Sequence, residues 1–316
     1  MSAPKVIVVA GPTATGKTKL GILLAERFSG EIVSADSMQL YRRMDIGTAK
    51  ATAEERAQVP HHMLDVAGPE ENYSVSRYVD EAARCCDDIL ARGKTPVIVG
   101  GTGLYIDSLV SGRDFAGRSE GDEALRESLC ERYETIGGEA MLEELRSLDP
   151  ERAEKLHPSD KRRIVRAIEI YRLTGETISA HDARTRALPP RYEALRIVLN
   201  YRERSELYAR IDARVDDMVA SGLFEEVEGL LKSGLSPEST AMQAIGYKEA
   251  ALFLSGAIGR EEAVALIKQN SRRYAKRQVT WFSRSPDALF LSWDGTPDFE
   301  KALRLSTEFL IARGLS

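Results

Sequence analysis

Apolar and polar positions alternate in two different rhythms along the first hundred residues. Val6 to Ala10 is a short β-branched run, followed from Lys17 to Phe28 by a helix pattern. Glu31 to Ala35 reads as a second strand, and His62 to Val66 as a third. Ser74 to Arg92 is periodic, with Val75, Tyr78, Val79, Ala82, Cys86, Ile89 and Leu90 near one face. Pro96 to Val99 is another buried strand and runs into Gly100-Gly101-Thr102-Gly103. Strands that alternate with helices in this way predict an α/β fold: a parallel sheet covered by helices.

After about Gly112 the rhythm changes. From Arg118 to Arg191 only helical patterns occur, with turn signals at Gly137-Gly138, Asp149-Pro150 and His157-Pro158. A strand returns at Leu195 to Leu199, about four helices follow, and Ala288 to Trp293 reads as a last strand. An all-helical block between strand-bearing parts predicts an insertion over 117–192 in a core formed by 1–116 and 193–316.

Composition narrows the class. The 316 residues are 43% apolar and 29% charged, which suits an ordered globular protein rather than a disordered one. Net charge is −5, so a nucleic-acid surface must be a local basic patch. Cys85, Cys86 and Cys130 lack metal-site spacing, and three thiols fit a reducing cytoplasm. The N-terminal glycines arrive too soon for a signal peptide, and no apolar run reaches membrane-span length. His61 and His62 would point to opposite faces of a strand and make a poor metal pair.

Gly11-Pro12-Thr13-Ala14-Thr15-Gly16-Lys17-Thr18 fits the phosphate-loop pattern G-x-x-x-x-G-K-[ST], with a strand before it and a helix after it. Its glycines let backbone N–H groups converge on phosphate oxygens at a helix N-terminus. Lys17 would neutralise phosphate charge, and the Thr18 hydroxyl would hold Mg²⁺. Kinases, NTPases and transferases with a diphosphate leaving group all use such a loop. A guanine-reading Asn-Lys-x-Asp is absent, and the strand at Pro96 to Val99 does not end in the aspartate of an NTPase motor.

Asp36 lies just past the second strand, at the sheet edge where ligands of open α/β proteins bind. It could take a proton, support a metal shell, or cap a turn. At Thr102 the surrounding glycines would allow close ligand approach. Residues 271–284, SRRYAKRQVTWFSR, and the Lys161-Arg162-Arg163 and Arg166 cluster mix or repeat basic groups. They suit RNA phosphates and unstacked bases, or else the polar face of an amphipathic helix.

Together these segments resemble the tRNA dimethylallyltransferase family. The resemblance runs through GPTATGKT (11–18), SADSMQLYRRMDIGTAK (34–50), PHHMLDV (60–66), YSVSRYVDEA (73–82), VIVGGTGLYI (97–106), DKRRIVRAIEIYRLTG (160–175), RIDARVDDMVASGLFEEV (210–227), QAIGYKE (243–249) and RRYAKRQVTWF (272–282). It is weakest over 112–158. Ala51 stands where the family commonly has proline, and the chain stops at Ser316 without the zinc-finger extension of eukaryotic relatives, as in the bacterial type.

The resemblance implies a P-loop NTPase-like core and transfer of a dimethylallyl group from dimethylallyl diphosphate to an adenine amine beside the tRNA anticodon. It implies Asp36 as base, Thr102 as a group that positions the amine, and Arg214 beside Lys17, Thr18 and Mg²⁺ on the leaving diphosphate. It places Asp36, Ser37, Met38 and Gln39 along the RNA, with Thr102 and Arg126. Asp160, Lys161, Arg162, Arg163 and Ile164 follow, then Gln243, Ala244, Ile245, Gly246 and Tyr247. Lys276, Arg277, Gln278, Val279, Thr280, Trp281 and Phe282 complete the set. A monomer acting on the anticodon stem-loop in the cytoplasm is expected, with no membrane contact. A P-loop nucleotide kinase, a prenyltransferase of free adenine nucleotides and a non-catalytic RNA-binding protein are the competing readings.

Overall fold

The computed structural model describes residues 3–112, 115, 122–285 and 287–315. It forms two compact units, Met1–Ser111 with Arg191–Ser316, and Gly112–Pro190. The expected start of the insertion, at residue 117, lies outside the described residues.

The first unit is built on six parallel strands: β1 (Lys5–Ala10), β2 (Gly30–Ser34), β3 (His61–His62), β4 (Thr95–Gly100), β5 (Glu193–Tyr201) and β6 (Leu289–Trp293). Their order across the sheet is β3-β2-β4-β1-β5-β6. β1 lies at the centre, with Ile7 opposite Val97 on one side and Leu195 on the other. Its residues Val6 to Ala10 are all buried, because helices cover both faces of the sheet. Helix α1 (Lys17–Arg27) packs Leu20 and Leu24 into a core with Ile7, Val9, Val97 and Ile197. Helix α3 (Val75–Ala91) buries Tyr78, Val79, Ala82, Cys86 and Ile89 as the periodicity predicts.

The third strand is shorter than expected. Only His61–His62 pairs with β2, because Met63 and Asp65 take positive φ of 61° and 57° and break the extended chain. The histidines take separate partners: His61 Nδ1 meets the Val59 carbonyl at 2.8 Å and His62 Nε2 meets Glu31 at 2.8 Å. The three cysteines are free thiols.

Helix α2 (Ala53–Gln58) begins with a capping box between Thr52 and Glu55, a signal the pattern reading passed over. Helix α4 (Gly103–Ser111) follows β4 directly. The second unit holds α5 (Glu123–Leu148), α6 (Pro150–Ala153), α7 (Lys161–Thr174) and α8 (Ile178–Arg186). Gly137, at φ 83°, interrupts α5, and Leu129, Met141, Leu145, Ile164 and Ile168 form a separate core. The first unit continues with α9 (Arg204–Ala220), α10 (Leu223–Lys232), α11 (Tyr247–Leu254), α12 (Arg260–Phe282) and α13 (Phe299–Ala312).

One buried carboxylate ties the β2 side of the sheet together. Glu31 leaves only 3% of its side chain exposed and bonds Arg92, Lys94 and His62. The Arg92 hydrogen bond holds its acid well below the usual carboxylate range against the opposing effect of burial. A depressed folded value means that the unfolded chain binds the proton more readily. The stabilisation is therefore complete above the ordinary carboxylate range, begins to fall once pH drops below it, and is gone only as pH falls through the depressed folded value. Glu31→Gln is expected to lower unfolding stability by about 1–2 kcal/mol, less than a fully enclosed pair because Arg92 and Lys94 keep solvent contact. Urea titration at neutral and acid pH checks this, and a difference that does not shrink in acid refutes it.

Candidate active site

β1 delivers Gly11 to the carboxyl edge of the sheet. A Cβ there would lie 2.3 Å from the Leu199 carbonyl oxygen on β5, and φ is 141°, so the position admits glycine alone. Gly16, at φ 80° and ψ 24°, turns the chain into α1, whose free N–H groups then face the loop. Inside the loop the Thr15 hydroxyl donates to the Pro12 carbonyl at 2.8 Å, and Lys17 Nζ donates to the same oxygen at 2.7 Å. Trp293 of β6 braces the loop from below, its Nε1 donating to the Thr15 carbonyl at 2.9 Å.

A cavity of about 380 Å³ opens above the loop. Thr13, Ala14, Gly16, Lys17 and Thr18 line it; Gly11, Pro12 and Thr15 are buried beneath. Asp36, Ser37, Met38 and Gln39 line a second side. Asp36 Oδ1 accepts the Met38 N–H at 2.9 Å, so it caps a turn as well as facing the cavity. Thr102 stands behind this turn, where its Oγ1 accepts the Ser37 N–H at 3.1 Å.

Arg214 reaches the cavity from α9, between Ile211, Val215 and Met218 on one helical face. Its Nε is buried without a hydrogen-bond partner. Burial lowers its pKa, and Asp36 opposes that shift. Burial and then Arg214 pull Lys17 down to about 7, with Asp36 acting the other way. Two cations crowd one carboxylate here, and one of them has an orphaned donor. That is the electrostatics of an anion site.

Helix α12 closes the cavity. Gln278 is buried; its Oε1 accepts the Thr13 N–H at 3.0 Å and its Nε2 donates to the Gly101 carbonyl at 2.9 Å. Tyr274 lines the wall beside it, its hydroxyl pushed up to about 12 by burial and the nearby Asp36. Sequence reading counted Tyr274 only among the aromatics of the basic run at 271–284, and it missed the apolar stripe around Arg214, although the 211-214-215-218 spacing on a helix marks the stripe. Of the glycines in the Gly100–Gly103 loop, Gly100 lines the cavity, and a Cβ on any of Gly100, Gly101 or Gly103 would meet protein atoms. Ala35 backbone crowds Gly100, Gln278 crowds Gly101 and the Trp281 ring crowds Gly103.

The residues expected along RNA fall into several settings. Gln243, Ala244, Ile245 and Gly246 line the cavity, whereas Tyr247 is fully buried. Lys276, Arg277, Thr280 and Trp281 lie on a surface groove with Arg273 and Arg284. Val279 packs against the core, and Phe282 is buried in it. Arg272 pairs with Asp212 at 2.5 Å. In the second unit Arg162 and Arg163 are exposed, Lys161 pairs with Glu134, Asp160 caps the turn at His157, and Ile164 is core. Arg126 pairs with the fully buried Glu169, which also holds Arg166.

A parallel sheet with this loop at its carboxyl edge defines a P-loop NTPase-like α/β protein. Sequence comparison places the chain more finely. The "IPP transferase" family matches residues 39–285, and "Isopentenyl transferase" matches residues 4–67. The chain belongs to the IPP transferase family. It is 49% identical over 280 residues, 89% of each chain, to "tRNA dimethylallyltransferase 2" of Geotalea uraniireducens. It is 46% identical over 299 residues, 94% of each chain, to a Thermoanaerobacter tRNA dimethylallyltransferase. A full-length tRNA isopentenylpyrophosphate transferase of Bacillus halodurans superposes with a TM-score of 0.73 at 40% identity, covering 98% of this chain and 96% of that one. A eukaryotic dimethylallyltransferase acting on tRNA gives 0.81 at 32% identity, covering 99% and 81%.

The lowered Lys17 value has a measurable consequence. An anion bound at the loop favours the ammonium form and raises that value, so binding takes up a proton at pH above about 7. Pyrophosphate affinity is expected to fall by up to about tenfold per pH unit above that point. Calorimetry in buffers of different ionisation enthalpy checks it, and a heat independent of buffer at pH 8 refutes it.

Proposed function

We propose that this protein transfers the dimethylallyl group of dimethylallyl diphosphate to the exocyclic amine of the adenine beside the anticodon of tRNA, releasing diphosphate. The observation that carries the reading is the single cavity that joins Lys17, the orphaned Arg214 Nε and Asp36 to an apolar wall. Such a cavity fits a donor with a diphosphate head and a short hydrocarbon tail. A phosphoryl acceptor would not call on Ile211, Val215, Met218 and Ile267.

In the reaction the bond between the allylic carbon and the diphosphate oxygen breaks, and a carbon–nitrogen bond forms. The amine lone pair is delocalised into the adenine ring, so it needs an electrophile with cation character and a base nearby. Asp36 accepts the amine proton. Thr102 holds the Ser37 turn, and with it Asp36, in place. Lys17, Arg214 and the loop N–H groups stabilise the charge gathering on the diphosphate.

Among the described residues no group of three or more His, Cys, Asp or Glu could hold a metal by itself. The Thr18 hydroxyl lines the cavity and would offer a protein oxygen to Mg²⁺ bound with a diphosphate. The chemistry such an ion would supply is neutralisation of charge on the leaving diphosphate.

The acceptor adenine must leave its stack to enter the cavity. The exposed face of α12, with Arg273, Lys276, Arg277 and Trp281, lies beside the cavity wall and suits RNA phosphates and bases. The helical unit, with exposed Arg162 and Arg163, is a second RNA surface. Among the described residues no helix is long and apolar enough to cross a membrane. The proposed setting is a monomer acting on tRNA in the cytoplasm.

Mass spectrometry of tRNA incubated with the protein and dimethylallyl diphosphate tests the reading. A gain of one dimethylallyl unit at that adenine is expected; transfer of phosphate from ATP to a nucleotide, with no such gain, would establish a kinase instead. Asp36→Asn is expected to slow single-turnover transfer by about 10²–10⁴-fold and leave donor affinity nearly intact. Wild-type rates in that variant would remove the base from the scheme. Charge reversal at Arg273 or Lys276 should weaken tRNA binding and flatten its salt dependence by roughly one unit of slope per phosphate contact. Melting temperature should barely move. Equal tRNA affinity in both variants would leave α12 as an ordinary amphipathic helix.

A further inference from the structure

One wall of the cavity is assembled from two loops that are far apart in sequence. Gly47, Thr48 and Ala49 come from the connection after β2, and Ala244, Ile245 and Gly246 from the turn before α11. Neither segment is part of a strand or a regular helix. Loop backbone without a ladder keeps its shape only where side chains hold it.

A single carboxylate holds both. Glu226 stands in the first turn of α10, where the helix N-terminus favours a negative charge. Its Oε2 accepts the N–H of Asp45 at 2.8 Å and of Ile46 at 2.9 Å. Its Oε1 accepts the N–H of Gly47 at 3.2 Å and the Tyr247 hydroxyl at 2.5 Å. Four donors thus converge on one side chain, three from the first loop and one from the residue that ends the second. Hydrogen bonds to an ionised acceptor are the stronger kind.

The packing around this carboxylate is close. A Cβ on Gly47 would lie 2.4 Å from the Tyr247 ring and 2.8 Å from Leu223 Cδ1. The first loop is also held from its far side, where Gln39 Nε2 donates to the carbonyls of Thr48 and Ala49 at 3.2 Å each. Gln39 lies three residues beyond Asp36 in the same turn. The line of contact therefore runs from Asp36 through Gln39 to the 45–49 loop, then through Glu226 to Tyr247 and the 244–246 turn. Glu226 does not line the cavity, and neither does Tyr247.

We infer that Glu226 is a positioning residue for the reaction: it sets the spacing of the two loops that form the wall opposite the phosphate loop, where the acceptor adenine must sit. The inference rests on the proposed transfer to tRNA. The donor's diphosphate is held by Lys17 and Arg214 on the other side, so loss of Glu226 moves the acceptor and not the donor. A misplaced acceptor lowers the rate of the chemical step more than it lowers binding.

The test compares wild type, Glu226→Gln, Tyr247→Phe and the double variant, each assayed well below its own melting temperature. Glutamine offers one acceptor oxygen and turns an amino group toward the remaining donors, so the clasp opens with little change in volume. Glu226→Gln is expected to lower kcat for tRNA by about 10–100-fold, and Tyr247→Phe by about 3–10-fold, with dimethylallyl diphosphate Kd within about twofold of wild type. Because the two side chains act as one clasp, the double variant should be no slower than Glu226→Gln alone. Wild-type kcat in a folded Glu226→Gln variant overturns the inference, as does a fall in donor affinity that matches the fall in kcat. If Glu226→Gln does not fold, Tyr247→Phe decides alone, and an unchanged kcat there overturns the inference. Failure of the wild-type protein to transfer dimethylallyl to tRNA would instead overturn the proposed function.

Discussion

The active end of this molecule is organised around unbalanced positive charge. Lys17 and Arg214 are drawn out of water into one cavity with Asp36, and burial lowers the tendency of each to stay charged. An arrangement of this kind is costly while empty and is relieved by an anion. The surrounding architecture fixes the loop that carries Lys17. β1 ends where Gly11 must pass against Leu199, α1 begins at Gly16, and β6 sends Trp293 beneath the loop. Lys17 meanwhile rests on the Pro12 carbonyl, a neutral acceptor that a diphosphate can displace.

Helix α12 joins the two kinds of chemistry. Its inner face carries Gln278, which bonds the phosphate loop to the Gly101 strand end, and Tyr274, which walls the cavity. Its outer face carries Lys276, Arg277 and Trp281 around an open groove. One rigid rod thus fixes the distance between the donor site and the surface proposed for RNA. The neighbouring loops have no such rod. Glu226 and Lys50 serve in its place, Lys50 by bonding Tyr41, Asp45 and Asp65 from a buried position.

Much of this was legible along the chain, for local reasons. The strand and helix rhythms located five of the six strands to within a residue or two, because strands buried on both faces leave continuous apolar runs. The phosphate loop was legible because its glycines answer to backbone geometry set within eight residues. Arg214 came only through family resemblance, since an arginine on an amphipathic helix carries no mark of its own. The third strand was overextended because apolar residues at Met63 and Leu64 look like a strand until the positive φ at Met63 and Asp65 is known. The basic run at 271–284 could not be resolved into its faces. Arg272 turned out to be spent on Asp212 while Arg273 and Lys276 stay on the groove.

The sequence by itself determined most of the individual strands and the phosphate loop with its Lys17, because each depends on residues close together along the chain. Only the tertiary structure decided which side chains share a cavity and which are consumed in holding it. Gln278 and Tyr247 sit in stretches that resemble an RNA surface, yet one is bonded to Thr13 and Gly101 and the other to Glu226. Partners separated by 21 residues for Tyr247, and by 177 and 265 for Gln278, leave no periodic trace in the chain. A polar side chain reads alike whether it faces solvent or a buried donor, and only the fold brings that donor to it.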